Sequence, residues 1–337
     1  MQALSLLPQG FTARPMTLDD AEIVAQLFAI SAKAQNFQFN ISPEELREEW
    51  KSPKFVLEES SLGVFNASGE LVGEVEIWDD HEIPVHPWVD LTMHPDYFGS
   101  GVDEALLTWG LELSRRVIDK CPEHALISAY AGTMQEYEPK IRLLESFGMT
   151  IKRYFFRMRI DMVDVPPTPV LPDGFHIQSY RHPDQLIDVI KADDDGFRDH
   201  FGYVEQPIEK KIEQWEHWIN TDPVFDQTLW YLVIDDATGQ IAGTCLCRNE
   251  AWGEPEVAYV NKISVRREYR QKGIALAMLR HAFHEFYKRG RHSVTLHVDA
   301  NSITGAVRLY ERAGMFVEQR SVTYEKVLRD GEEIARV

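Results

Sequence analysis

The sequence predicts an α/β protein in which a mixed, twisted sheet with helices on both sides is laid down twice along the chain. Three observations carry that expectation. Residues 257–290 pass from a strand pattern into a helix pattern through a basic turn. A proline-dense run, Val165-Pro166-Pro167-Thr168-Pro169-Val170-Leu171-Pro172, interrupts the chain, and beyond it the same short motifs return in the same order. Gly174-Phe175-His176-Ile177 echoes Gly10-Phe11-Thr12-Ala13, Gly239-Gln240-Ile241-Ala242-Gly243 echoes Gly69-Glu70-Leu71-Val72-Gly73, and Glu311-Arg312-Ala313-Gly314-Met315 echoes Glu145-Ser146-Phe147-Gly148-Met149. Such an ordered repeat points to duplication. The expected division is residues 1–162, a proline-rich linker at 163–173, and residues 174–337.

In the first copy, residues 11–14 read as a strand. Thr17 or Asp19 opens an amphipathic helix to about residue 35, carrying Ile23, Leu27 and Ile30. Ser42-Pro43-Glu44-Glu45 supplies a cap, a first-turn proline and acidic first-turn residues for a helix containing Leu46 and Trp50. Strands follow at 61–66 and 71–78 around the turn Ala67-Ser68-Gly69-Glu70, and another runs from Trp88 to Met93. A helix at 101–118, a strand at 125–129, a short helix at 141–147 and an aromatic strand at 151–160 complete it. The proline run cannot sustain a helix or a central strand and reads as an extended connector.

The second copy is organised around residues 257–290. Val257, Tyr259, Val260, Ile263 and Val265 form a strand, and Ile274, Met278, Ala282 and Phe286 follow on one helix face. Between them, Arg270-Gln271-Lys272-Gly273-Ile274-Ala275 places basic residues at a helix mouth, where unpaired N–H groups and the helix dipole favour a phosphate. No P-loop or three-glycine dinucleotide fingerprint is present. Downstream come an alternating strand at 294–300, Asn301, and a short helix from Ala306 closed by Gly314.

Composition narrows the function. The chain has 337 residues, more than a usual domain of about 100–200. No run of about 18 apolar residues occurs and the N-terminus lacks a signal-peptide pattern, so a cytoplasmic protein without a membrane span is expected. A formal charge of −19 disfavours nucleic acid as a partner. Three cysteines suggest no disulfide framework; Cys245 and Cys247 read as buried strand residues, and no metal is expected.

These segments resemble the GCN5-related N-acetyltransferase (GNAT) family. Its cofactor loop, Arg/Gln-x-x-Gly-x-Gly/Ala, matches Arg270, Gly273 and Ala275; its later segment matches Asn301, Leu309, Tyr310 and Gly314, with Met315 replacing an aromatic. The resemblance implies two tandem acyl-CoA N-acyltransferase domains and acetyl-CoA as co-substrate. It also implies that main-chain amides near Ile263 and Val265 align the thioester and pantetheine arm, that residues Gln271, Lys272, Gly273, Ile274 and Ala275 clamp the diphosphate with Arg270 adding charge, that Asn301 touches the pantetheine arm, and that Tyr310 is the acid for the departing thiolate. A phenol keeps its proton at neutral pH and can donate it to an anionic sulfur.

The base stays open among polar residues on the two central strands: Glu256, Tyr259, Asn261, His297 and Asp299. Simple alternation puts Tyr259, Asn261 and Ile263 on one face and Glu256, Lys262 and Ser264 on the other. A water relay from Glu256 or from the Tyr259 face fits equally. Residues 193–202 read as a run too polar and glycine-broken for a core element, offering Asp195, Asp199 and His200, with Asn261, to a cationic amine. Arg198-Asp199-His200-Phe201-Gly202 also looks like tandem acetyltransferases related to mycothiol synthase, whose C-terminal copy acetylates an amino-sugar thiol precursor.

In the first copy Phe98 stands at the position of Arg270, Asp103 at that of Ala275 and Leu144 at that of Tyr310, so its cofactor chemistry reads as lapsed. The leading expectation is acetyl transfer to the primary amine of a small molecule by a monomer or homodimer. Protein or peptide N-acetylation, and acyl-CoA binding without catalysis, remain alternatives.

Overall fold

A computed structural model describes residues 3–37, 41–200, 203, 205–301 and 305–335. In chain order the elements are β1 (Thr12–Arg14), α1 (Ala21–Ala34), α2 (Pro43–Glu49), α3 (Leu57–Ser60), β2 (Ser61–Phe65), β3 (Leu71–Trp78), β4 (Trp88–Met93), α4 (Val102–Ser114), β5 (Ile127–Met134), α5 (Glu138–Ser146) and β6 (Thr150–Asp161). They continue with β7 (Phe175–Ser179), α6 (Leu186–Phe197), α7 (Ile208–Thr221), β8 (Trp230–Asp235), β9 (Ile241–Arg248), β10 (Val257–Val265), α8 (Ile274–Lys288), β11 (Ser293–Asp299), α9 (Ala306–Arg312) and β12 (Phe316–Arg329). Among the described residues no helix is long and apolar enough to cross a membrane.

Two compact units form, but they do not part at the proline run. One holds Met1–Tyr154 and Arg320–Ile334; the other holds Phe155–Gln319 and Ala335–Val337. Backbone pairing gives the reason. From Ser321 to Arg329, β12 pairs antiparallel with β5, which puts the last strand of the chain in the first unit. From Phe155 to Asp161, β6 pairs antiparallel with β11, which puts the strand before the proline run in the second unit.

Within the first unit, β1 to β4 form an antiparallel run, and β5 joins β4 in parallel. Ser42 caps α2 by accepting from the Glu45 N–H, while the Glu45 carboxylate takes the Ser42 N–H. Val75, Ile77, Val89, Leu106 and Leu107 belong to its core. On the opposite face of β3 and β4, the register sets Glu74 beside Thr92 and Glu76 beside Asp90. Burial, followed by Asp90, pushes the Glu76 carboxyl up to about 8 against the two indole N–H groups that favour its charge. In an unfolded chain this group ionises near 4.5, whereas the folded protein holds the proton until about 8. Its contribution to stability is therefore complete below the lower value and is lost as pH rises to the upper one. Across that window the thermal midpoint is expected to fall with rising pH, and Glu76→Gln should flatten the slope; an unchanged slope would contradict this assignment.

Within the second unit, β7, β8, β9 and β10 are antiparallel neighbours, and β11 joins β10 in parallel. The α8 helix packs Met278, Leu279, Phe283 and Phe286 onto one sheet face with Ala242, Ala258 and Val260. Tyr180, Ile190, Trp230 and Leu246 form a separate cluster with α6 and α7. Cys245 and Cys247 are fully buried on β9, their sulfurs 3.6 Å apart.

Candidate functional site

Strand β10 positions the site through two departures from regular pairing. The first is a bulge: Val260 faces Cys247 and Lys262 faces Leu246 on β9, leaving Asn261 as the extra residue. The bulge shifts the face on which side chains emerge. Ala258 and Val260 before it, and Ile263 and Val265 after it, all pack towards α8, whereas Tyr259 clusters with Trp252. The expectation that Tyr259 and Ile263 share a face is thus corrected, because alternation survives only in an unbulged strand.

The second departure is a split. Val257, Ala258 and Tyr259 pair with Ser293, Val294 and Thr295, but both strands continue past that pairing. The Arg266 N–H donates to Ala242 O, 3.0 Å away, so in the antiparallel ladder Lys262 and Ser264 aim their backbone groups at β9. Ile263 and Val265 therefore aim theirs into the gap beside β11. A peptide-like chain entering that gap would meet the backbone groups of Ile263 and the Val265 N–H, the Val265 oxygen being held by Arg270.

At the end of β10 the chain turns through a loop whose backbone is unusual. Gln271 has φ 63° and Gly273 φ 84°, both left-handed, and Gly273 leads directly into α8. A side chain costs conformational energy at such a glycine, although a Cβ at Gly273 would meet nothing within 4 Å. The open space lies over a helix start, whose first intrahelical bond here runs from the Ala277 N–H to Gly273 O.

Arg270 departs from its expected part. Its Nε donates to Val265 O (3.1 Å), Nη1 to Asp199 (2.8 Å) and Nη2 to Gly196 O (3.0 Å). All three edges of the guanidinium brace the C-terminal end of α6 against the end of β10. Gly196 permits that closeness, since a Cβ there would lie 2.5 Å from Ser264 Oγ. Residues up to Phe197 are helical, with Asp193 and Gly196 buried, so the first part of the 193–202 run is core helix and not an open polar loop. Phe201 and Gly202 lie outside the described residues.

The corresponding loop of the first unit repeats the backbone and fills the space. Gly99 (φ 78°) and Gly101 (φ 89°) take the conformations of Gln271 and Gly273. There the Asp103 carboxylate, 3% exposed, accepts from the Gly99 N–H at 2.9 Å and the Gly101 N–H at 3.2 Å. Lys140, 5% exposed, donates to Leu91 O at 2.7 Å. By the β3–β4 register, Leu91 matches Ile263, so the lysine takes the carbonyl that the second unit leaves facing its gap.

A pocket with about 100 Å³ of free space opens beside the split of the second unit. Phe197 and His200 line it from the end of α6, Asn261, Lys262 and Ile263 from the bulged strand, His297 and Asp299 from β11, and Ala306 and Tyr310 from α9. Lys262 is tied to Asp193, Nζ to Oδ2 2.7 Å. The Tyr259 hydroxyl lies 2.9 Å from His297 Nδ1. His297 keeps an exposed edge, yet the protein around it, and then Arg157, push its pKa down to about 4. Burial, followed by Arg270, also lowers His200, partly offset by Asp299, Asp193 and Asp199. Tyr310 is 6% exposed, and burial holds its phenol well above the ordinary range.

Residues 192–315 match the sequence model of the acetyltransferase (GNAT) family. A GCN5-related N-acetyltransferase from Sphaerobacter thermophilus superposes with a TM-score of 0.82 at 29% identity, over 97% of this chain and 98% of that one. The protein is an N-acetyltransferase, and residues 192–315 carry its GNAT-type sequence. The fold also matches a tandem GNAT protein from the clavulanic acid biosynthesis pathway (TM-score 0.70, 15% identity, 96% and 100% of the two chains). A glucosamine N-acetyltransferase region of a fungal multi-domain β-N-acetylglucosaminidase is a further structural match (TM-score 0.67, 14% identity, 95% of this chain and 38% of that one). No curated protein matches the chain by sequence.

GNAT enzymes use acetyl-CoA, and the acetyltransferase presents a gap and a helix mouth that suit its two ends. Of the sequence-derived residues, Asn261, Ile263, His200 and Tyr310 meet at the pocket, and Tyr259 touches it through His297. Others do not. Glu256 is exposed and pairs with Arg291 at 3.2 Å. Asp199 is held by Arg267 and Arg270, whose hydrogen bonds keep its carboxyl far below the usual range, and Asp195 bonds Arg266 at 3.3 Å. Both acids therefore secure α6 to the loop. Asn301 is exposed beyond β11, its N–H donating to Asp299 at 2.9 Å. Sequence reasoning gave Lys262 no part in the site and set it on the face opposite Asn261; the bulge brings both to the pocket.

Proposed function

We propose that this acetyltransferase moves the acetyl group of acetyl-CoA directly to the primary amine of a small molecule, in the C-terminal copy of a duplicated GNAT fold. The single observation behind this reading is the meeting, in one unit, of Tyr310, the split between β10 and β11, and a pocket that His200, Asn261 and Asp299 help to line. Acetyl-CoA supplies the acetyl group as an activated thioester. The backbone of Ile263 and Val265 would hold the arm in the gap, and the amides from Gln271 to Ala275 would receive the diphosphate. The Arg270 charge acts indirectly, by fixing Val265 and α6. Asn301, at the end of β11, stays a proposed contact to the arm.

The phenol of Tyr310 is proposed to donate its proton as the sulfur leaves. His200 is assigned as acceptor of the amine proton, because it lines the pocket as a neutral imidazole at pH 7, whereas His297 is too weakly basic. Tyr259 would then orient His297 against the acceptor. A pocket walled by α6, β10, β11 and α9 suits a compact amine better than an extended peptide.

Release of free coenzyme A thiol across amino sugars, aminothiols, polyamines and lysine peptides is the test. Turnover with one of the small amines is expected, and turnover confined to peptides would overturn the reading. With a working acceptor, His200→Gln should lower kcat by about 10–100-fold and remove the acid limb of the pH profile. An unchanged profile would exclude His200 as the base.

A further inference from the structure

The first unit carries a buried acidic group that acetyl transfer does not use. Glu74 and Glu76 project from one face of β3, opposite Thr92 and Asp90 of β4. Trp50 Nε1 donates to one Glu76 oxygen at 2.6 Å and Trp78 Nε1 to the other at 3.0 Å, with Phe55 stacked on Trp78 at 3.9 Å. Glu74 is 4% exposed and its Oε2 has no hydrogen-bond partner. Asp90 and Glu49 are exposed at the surface, and both act electrostatically on Glu76. Four carboxyl groups, two of them buried, thus lie near one ammonium, that of Lys140, which interacts electrostatically with Asp90 and Glu74.

Core filling does not account for this arrangement. Aligning the two units on Gly73 beside Met93 and Gly243 beside Val265 puts Thr244 where Glu74 stands, Leu246 where Glu76 stands and Lys262 where Asp90 stands. The second unit builds the same sheet face without a single carboxylate at those positions. In the first unit, by contrast, acids are buried there and held protonated, and a partner cation would favour their charged form. One buried oxygen of Glu74 is unpartnered, the nearby Asp90 and Glu49 are exposed, and indole and phenyl rings adjoin Glu76. The carboxylates do not converge as metal ligands: among the described residues no such group exists.

We propose that this face of the first unit is a binding site for an organic cation, with an ammonium or guanidinium reaching Glu74 between Asp90 and Glu49. Charged N–H donors would satisfy the orphaned oxygen, and the aromatic rings would contact the body of the ligand. The site is separate from the acetyl-transfer pocket and does not rest on the acceptor assigned above.

Spermidine and agmatine, titrated into the full chain by calorimetry, test it. At least one should bind, and Asp90→Asn and Glu74→Gln should each weaken that binding about tenfold or more while kcat/KM for acetyl transfer is unchanged. Glu123→Gln, an equal loss of charge at another exposed position, should leave it unaltered. Asp90 is exposed, so its variant remains informative if Glu74→Gln fails to fold. Absence of binding by both probes up to about 1 mM, or equal weakening by Glu123→Gln, would overturn the proposal. So would binding that is lost with His200→Gln and kept with Asp90→Asn.

Discussion

Ala275→Asp is expected to abolish acetyl-CoA binding without unfolding the protein. The same change already stands at the matching position of the first unit, where Asp103 folds over its loop and takes the Gly99 and Gly101 N–H groups. Since Gln271 and Gly273 adopt the conformations of Gly99 and Gly101, an aspartate at 275 would find the same amides. It would replace the diphosphate with a carboxylate of the chain itself, and repel what it did not replace. Gly273→Glu should act similarly, with an added strain of about 1 kcal/mol from a left-handed side chain. A loss of affinity of at least ~100-fold, or ~2.7 kcal/mol, is expected from calorimetry, with far-ultraviolet circular dichroism unchanged. Wild-type affinity in folded Ala275→Asp would remove the loop from the cofactor site.

Tyr310→Phe should lower kcat by roughly 10–100-fold while keeping acetyl-CoA affinity within a few-fold. The ring is buried with Met278 and Leu296 in the core of the second unit, so phenylalanine preserves the packing. Only the hydroxyl is lost. Because burial raises its pKa, that hydroxyl keeps its proton through the neutral range and stands ready for an anionic sulfur. Steady-state kinetics on a working amine decides the point: unchanged turnover would exclude Tyr310 as the acid.

Much of this was legible in the sequence because it depends on local chemistry. Ser42-Pro43-Glu44-Glu45 does cap α2, and residues 257–265 and 274–288 do form a strand and a helix; Asp103 was legible as a replacement of Ala275, though not as a carboxylate folded onto its own loop. The missing parts involve distance along the chain. The pairing of β12 with β5 and of β6 with β11 joins residues whose local patterns name no partner. A bulge at Asn261 inverts the parity of every later side chain on β10, and nothing in the strand's composition announces it. Arg270 matches a phosphate-loop motif, yet its partners Asp199 and Gly196 lie more than seventy positions away, at 71 and 74 residues. Lys140 lies just outside the helix expected at 141–147, and only the fold places it against Leu91.

The central claim is that acetyl-CoA is held by the loop of the second unit, while Asp103 and Lys140 take the corresponding places in the first. Titration calorimetry of acetyl-CoA into the full chain, repeated with Ala275→Asp, tests it most directly. One equivalent per chain is expected for the native protein and none for the variant; two equivalents, or saturable binding that survives the substitution, would contradict it.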